Sequence, residues 1–349
     1  MICSLRLVDF RCFEALSLEL PAGTSIFVGG NAQGKTTVLE AVCVLVRLHS
    51  PRTHRLGQMV RFGAAGFGAA GDCWGEERRV RYGAKGPDLR IDGRPAGSQG
   101  DYLAGGGLLV WMGSDDLRLV GGPGEGRRRF LDFAAMQLDA GHRRHLGRYR
   151  RALKARNLLL KERRPDEAHI AAYTEMLVTH GEALQKARRS LVERLAEPVQ
   201  RANAAVSRGR EAVELEYRPA GGRDLRAAFS EAAGRERRQG QTVVGPHRDD
   251  LLIKLNGRAA ADFGSEGQQR TLALALKLGQ GALLGRSGRV SPVYLIDDIF
   301  GELDPQRRNA LMEALPAGAQ KLITTTSLAW LERPGPTIFR VAGGSVGAE

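Results

Sequence analysis

The stretch that decides the fold is Val28-Gly29-Gly30-Asn31-Ala32-Gln33-Gly34-Lys35-Thr36-Thr37, VGGNAQGKTT. It fits the spacing Gly-x4-Gly-Lys-[Ser/Thr] through Gly29, Gly34, Lys35 and Thr36. Upstream, Thr24–Val28 is a short apolar run of strand character. Downstream, VLEAVCVLVRL is apolar on nearly every face, as a helix buried beside a sheet requires. A strand, a glycine turn and a helix N-terminus in that order make a phosphate cradle. The glycines let backbone N–H groups turn inward, and the helix dipole adds positive potential. The candidate ATP-binding residues are Gly29, Gly30, Asn31, Ala32, Gln33, Gly34, Lys35, Thr36 and Thr37. Lys35 is placed to reach the β- and γ-phosphates, and the Thr36 hydroxyl to ligate Mg2+.

A second piece answers the first. Val293-Tyr294-Leu295-Ile296-Asp297-Asp298 is an apolar strand ending in adjacent carboxylates. Alone, the pair is a polar strand end. With a phosphate cradle in the same chain, Asp297 is placed to hold Mg2+ through water and Asp298 to orient an attacking water, which makes Asp298 and Lys35 the catalytic candidates. Between the two pieces stands Ser265-Glu266-Gly267-Gln268, at the start of an apolar helix running over Thr271–Leu284. Read alone, it is a helix N-cap with a glycine turn.

The formal charge of +13 points to a polyanionic partner, nucleic acid before an anionic membrane surface. The four cysteines show no Cys-x2-Cys spacing, which excludes a zinc framework or disulfide scaffold. The apolar stretches are too short or too charged to span a bilayer, and no secretory leader is visible, so a cytoplasmic protein is expected.

Strand patterns recur at Ile2–Leu7, Leu16–Leu20, Arg78–Tyr82, Asp88–Asp92 and Leu108–Met112. From Arg127 to about Arg210 the chain turns helical and basic, with Pro165 as the stop before a second helix over about Ala168–Glu197. Arg127, Arg128, Arg143, Arg144 and Arg151 in this run are the DNA-binding candidates, although most such charges simply form a solvated face. Strands return at Ala212–Tyr217, Leu251–Leu255 and Lys321–Thr325, with Asn256-Gly257 as a hairpin signal. His247 reads either as a catalytic histidine or as part of a structural turn. His142 and His145, at i and i+3, lack the acidic neighbours of a metal site. Arg11 and Arg52 flank the phosphate loop and are candidates for phosphate or ribose.

In this company Ser265-Glu266-Gly267-Gln268 resembles the signature motif of ABC-type ATPases. The whole chain resembles the RecF family of bacterial recombination and repair ATPases. The resemblance is carried by Leu7-Val8-Asp9-Phe10-Arg11, the phosphate loop, Leu39-Glu40-Ala41, Ser50-Pro51-Arg52-Thr53, and Asp115–Val120 followed by Arg127–Asp132. It continues through Tyr149–Leu159, Val244-Gly245-Pro246-His247-Arg248-Asp249-Asp250 and Asp297–Asp304 with Arg307 and Leu311. Departures are Ala32 where the loop usually has glycine, Ser114 for proline, Gly122-Pro123-Gly124, and Gly301 for serine or alanine.

The resemblance implies an α/β, ABC-type P-loop ATPase head, a mixed sheet with a P-loop helix, carrying an inserted helical arm. It divides the chain into head (1–120), arm (121–240) and head again (241–349). It implies that Ser265, Gly267, Gln268 and the D-loop residue Asp304 act in trans, in an ATP-dependent homodimer on duplex or gapped DNA. RecR and RecO would be partners, and the outcome is recombinase loading at single-strand gaps during DNA replication, DNA damage repair and the SOS response. Thr325 or Thr326 stands where a switch histidine is usual, and a Q-loop glutamine has no clear place; Gln137 is a candidate but reads more readily as a surface helix residue. Asp298, where most ABC-type sites carry glutamate, implies slow, DNA-stimulated hydrolysis that resets the clamp. The rival readings are a short SMC-like DNA tether and a DNA scaffold that holds ATP without useful hydrolysis.

Overall fold

The structure, a computed structural model, describes residues 1–53, 55–164, 166–207, 209, 211–287, 290–331 and 335–348. They form two compact units. The first holds Met1–Asp116, Ala205–Ser207 and Leu284–Glu349, and the second Leu117–Ala204 and Arg208–Leu283. Packing thus groups residues 241–283 with the helical region, whereas the motifs group them with the head.

In the first unit the chain runs through β1 (Ser4–Phe10), β2 (Phe13–Glu19), β3 (Thr24–Val28), α1 (Lys35–Arg47), β4 (Phe67–Cys73), β5 (Glu76–Gly83), β6 (Gly86–Ile91), β7 (Arg94–Pro95), α2 (Gln99–Ala104) and β8 (Leu109–Gly113). The second unit contributes α3 (Gly124–Leu138), α4 (Ala140–Leu159), most of α5 (Glu167–Ser207), β9 (Val213–Arg218), α6 (Leu225–Gln239), β10 (Asp250–Leu255), β11 (Arg258–Ala259), α7 (Ala260–Phe263) and most of α8 (Glu266–Gly285). The first unit is completed by β12 (Val293–Asp297), α9 (Pro305–Ala314), β13 (Lys321–Thr325), β14 (Thr337–Ala342) and β15 (Ser345–Ala348).

The first unit has two sheets. One is antiparallel, in the order β2-β1-β4-β5-β6-β7. The other is mixed, in the order β15-β14-β3-β13-β12-β8, parallel except at its β15 edge. Helix α1 packs against β1, β4 and β5 of the one and β12 and β13 of the other. Every residue of α1 except Thr36 is buried, which is why its sequence is apolar on all sides. Parallel strands carry their loops at one end, so β3 and β12 deliver the phosphate loop and the Asp297-Asp298 pair to the same edge of one sheet.

In the second unit β9, β10 and β11 form an antiparallel sheet, with Asn256 (φ 50°) and Gly257 (φ 77°) making the expected hairpin turn. One apolar core joins α3, α5, β9, β10 and α8 through Phe130, Leu195, Val199, Ile253 and Leu276. A second joins α4, α5 and α6 through Tyr149, Leu177 and Phe229. Helix α5 continues past the expected end at Glu197, with Pro198 inside it. An internal proline costs about 3 kcal/mol. Leu195 and Val199 on either side, both 0% exposed, are held in the core and outweigh that cost. Pro165 and Arg210, read as helix limits, lie outside the described residues.

Candidate functional site

The loop between β3 and α1 is built by local backbone demands. Gly34, at the α1 N-cap, has φ 107° and makes no side-chain cap. A Cβ there would sit 2.8 Å from Cys12 Sγ and 2.9 Å from the Phe13 ring. At Gly29 it would sit 2.2 Å from the Val341 carbonyl oxygen, so both positions exclude larger residues. Ala32 adopts φ 62°, a left-handed backbone that the usual glycine would take without strain. Lys35, 6% exposed, folds back so that Nζ donates to the Gly29 and Gly30 carbonyls at 3.0 and 2.8 Å. The helix entrance thus has no side-chain cap and carries a buried ammonium that, among the described residues, hydrogen-bonds only to loop carbonyls, which fits a phosphate chain. Gln33 is tied down, its Oε1 accepting from the Gly343 N–H at 2.7 Å.

The carboxylates lie within reach. The Thr36 hydroxyl donates to Asp297 Oδ1 at 2.8 Å, and the Thr324 hydroxyl, one strand away, donates to the same oxygen at 2.8 Å. A hydroxyl and a carboxylate are the hard oxygen donors that suit Mg2+. Burial raises the pKa of Asp297, the two threonine hydroxyls oppose that rise, and Asp298 adds to it. Asp298 is raised too, by burial, against the pull of Lys35. It stands at φ 52°, a left-handed backbone uncommon outside glycine and best tolerated by residues such as aspartate. Arg11 is spent on the fully buried Glu40 through Nε and a second nitrogen at 3.0 and 2.7 Å, and on the Gln58 carbonyl at 2.7 Å. Arg52 is half exposed, 3.8 Å from Glu40, and close enough to Asp297 to lower its pKa.

Of the switch candidates, Thr325 is engaged elsewhere. Its hydroxyl donates to the Ser327 carbonyl at 2.9 Å and accepts from Trp330 Nε1 at 3.2 Å. The Thr326 side chain is exposed, and its backbone N–H bonds to Asp298. Ser265 and Gln268 form a reciprocal capping box. Gln268 N–H donates to Ser265 Oγ at 3.3 Å and Ser265 N–H to Gln268 Oε1 at 2.9 Å, while Gln268 Nε2 donates to Glu211 at 2.8 Å. Ser265 remains exposed, and Gly267 is half-buried in the first turn of α8. Asp304 caps α9, accepting from the Arg307 N–H at 2.9 Å and pairing with the Arg307 side chain.

The basic candidates separate into two groups. Arg127 is a clasp inside the second unit, with two bonds to Asp250 at 2.7 and 2.9 Å and one nitrogen on the Leu119, Val120 and Gly122 carbonyls. Its guanidinium is engaged inside the unit and only 11% exposed. Arg128 donates to the Asp249 carbonyl at 2.8 Å and is half-buried. Arg143 is half-buried, whereas Arg144 and Arg151 are exposed on α4. Gln137, expected on the surface, is 4% exposed, its amide donating back to the Phe133 carbonyl at 3.3 Å.

The Gly245–Asp250 turn is a buried polar knot. Arg188 holds Asp132 with two bonds at 2.9 Å, Asp249 at 3.1 Å and the Pro246 carbonyl at 2.7 Å. Gln185, Tyr217 and the Ala220 N–H also bond to Asp249. Burial alone would raise the Asp132 pKa, but Arg188 and His142 overcome it and hold it at about 2. His247 donates from Nε2 to the Thr242 carbonyl at 3.1 Å, so its Nδ1 accepts from the Tyr149 hydroxyl at 2.8 Å. Burial lowers its pKa, and a neutral ring with both nitrogens in use is structural. His145 meets His180 at 3.2 Å, and no cluster of three metal-ligating residues exists among the described residues. Sequence reasoning missed Arg188, Gln185 and Thr324. For the first two the sequence carries no distinguishing signal, since Lys186 and Arg189 beside them are equally polar.

Residues 4–56 match the AAA domain family. The DNA replication and repair protein RecF of Symbiobacterium thermophilum is 37% identical, over 99% of this chain and 97% of that protein. RecF of Anaeromyxobacter sp. (strain K) is 39% identical, over 99% and 98%. Among solved structures, the recombination mediator protein RecF-ATPrS in the RecFOR pathway superposes with a TM-score of 0.89 at 28% identity, over 100% of this chain and 98% of that one. An Smc head domain from Pyrococcus furiosus shares the fold, with a TM-score of 0.57 at 16% identity over 100% of this chain and 95% of that one. No helix among the described residues is long and apolar enough to cross a membrane. A phosphate loop facing paired carboxylates, on an ABC-type head and in a sequence this close to several RecF proteins, leads to one conclusion: the chain belongs to the RecF family of DNA replication and repair ATPases.

Proposed function

We propose that this chain binds and slowly hydrolyses ATP to control its hold on DNA during recombinational repair and replication restart. The observation that carries the reading is the cluster Lys35, Thr36, Asp297 and Asp298 at an uncapped helix N-terminus. Lys35 exchanges its loop carbonyls for the β- and γ-phosphates. Thr36 and Asp297 would hold Mg2+, which when bound neutralises phosphate charge. Asp298 orients the attacking water and takes up its proton.

Ser265, Gly267, Gln268 and Asp304 serve the nucleotide of a second copy, so ATP closes a homodimer. Ser265 can do this without giving up its cap, because its oxygen accepts from Gln268 N–H while its proton remains free to donate. Thr326 is the switch candidate, its backbone already on Asp298. The exposed Arg144 and Arg151 of α4, with the neighbouring Arg143 and the half-buried Arg128 of α3 as further candidates, meet DNA phosphates without reading sequence. RecR and RecO act with the DNA-bound form to load recombinase at gaps.

The test is sedimentation with ADP, ATP and a gapped duplex. Wild type should dimerise and stay on DNA only with ATP, and Lys35→Ala should do neither. A Lys35→Ala protein that sediments like wild type would sink the clamp.

A further inference from the structure

Resting on the ATP–Mg2+ reading above, we propose that Thr324 is a positioning residue whose hydroxyl fixes the Asp297 carboxylate and helps to hold the Asp298 backbone. It belongs neither to the phosphate-loop pattern nor to the switch positions. Strands β12 and β13 are parallel, with Asp297 directly opposite Thr324. Side chains at such a pair point to the same face, and Thr324 is 0% exposed. Its Oγ1 donates its only proton to Asp297 Oδ1 at 2.8 Å and accepts the Asp298 N–H at 3.0 Å.

These two bonds do different work. The first joins the Thr36 bond on Asp297 Oδ1, so that oxygen carries two donors. Oδ2 then has no hydrogen bond among the described residues and is the oxygen left for the metal side. The carboxylate cannot rotate about its terminal torsion without breaking two bonds. The second bond is shared, because the Asp298 N–H also reaches the Thr324 carbonyl at 3.3 Å, the last ladder bond of the β12–β13 pair, just where the residue turns to φ 52°. A left-handed backbone costs an aspartate less than most residues, but still gains from bonds that fix it. The Thr324 hydroxyl and carbonyl share that hold on the Asp298 backbone, while the Thr326 N–H bonds to its carboxylate. The hydroxyl matters here more than the shape. Valine has the same branching, fills the same buried position and favours a strand equally, but neither donates nor accepts.

The experiment titrates Mg2+ into full-length protein at fixed concentration of a fluorescent ATP analogue, and measures the analogue's affinity without metal separately. For Thr324→Val the Mg2+ midpoint should rise about tenfold or more, as for other residues that hold a metal ligand in place. Metal-free affinity should not move, and Thr324→Ser should restore the midpoint to within about twofold of wild type. If the valine variant is insoluble, Thr324→Cys replaces it, since the thiol is too weak a donor to restore the bond. A Thr324→Val or Thr324→Cys curve that overlays wild type overturns the role, and so does a serine variant as impaired as valine. Lys35→Ala separates the two layers. If wild type and Lys35→Ala bind the analogue alike, the ATP site itself is misread. If only Lys35→Ala fails, the site stands and Thr324 is not its positioning residue.

Discussion

The phosphate loop of the first unit and the Gly245–Asp250 knot of the second are both motif-rich, both polar and both folded around a buried cation. They differ in what remains unspent. Among the described residues Lys35 hydrogen-bonds only to loop carbonyls that a phosphate can replace, Asp297 keeps one oxygen without a hydrogen bond, and the α1 entrance has no side-chain cap. Arg188, by contrast, is locked between two buried carboxylates and a carbonyl, and both nitrogens of His247 are in use. A polar cluster with open capacity recognises a ligand. A saturated one specifies a fold. Motif status does not distinguish them, but hydrogen-bond accounting does.

Substitutions should split along that line. The largest effect is expected for Arg188→Met, which leaves Asp132 and Asp249 buried without their partner, at a cost of about 3–5 kcal/mol. Denaturant unfolding measures this, and a loss under about 1 kcal/mol would mean that the knot is not structural. Lys35→Ala should leave unfolding unchanged and weaken ATP binding about 100-fold, about 2.7 kcal/mol, as seen by calorimetry.

A third contrast is in acid. The Asp132 pKa is held at about 2, below its ordinary 3.8. Its contribution is therefore complete above the unfolded value and is lost as pH falls through the folded one. The stability gap between wild type and Asp132→Asn should shrink by about 2 kcal/mol between about pH 5 and pH 2. A gap that stays constant would contradict the pairing. The smallest effect is at Ala32, where glycine relieves the left-handed backbone but frees the unfolded chain. Ala32→Gly should stabilise by under about 1 kcal/mol, visible as a small rise in melting temperature.

The cradle was legible in the sequence because its determinants are local. Val28–Thr37 carries glycines, lysine and threonine at fixed spacing, and the flanking apolar patterns announce strand and helix within a few residues. The acidic strand was legible for the same reason. The knot was not, because its partners meet only in space. Arg188 and Arg127 are indistinguishable in sequence from Arg144 and Arg151, since a basic helix does not declare which arginine faces a buried aspartate. Gln137 went inward for the same reason. Pro198 failed in the other direction, because a strong local breaker was outweighed by core packing that no local pattern records. Thr324 sat in plain view in a run of three threonines, and only the β12–β13 register picks it out.

The reach of the knot along the chain has a consequence for how the molecule is made. Arg188 finds Asp132 across 56 positions and Asp249 across 61, and Arg127 waits for Asp250 across 123. Until the ribosome has delivered the Gly245–Asp250 turn, the helical hairpin carries aspartate and arginine whose full set of partners does not yet exist. Helices α3 to α5 can form early from local contacts, but the second unit can lock only when that late turn arrives. The turn is therefore a closing latch in folding, and damage to it should appear first as slow or incomplete maturation of the nascent chain.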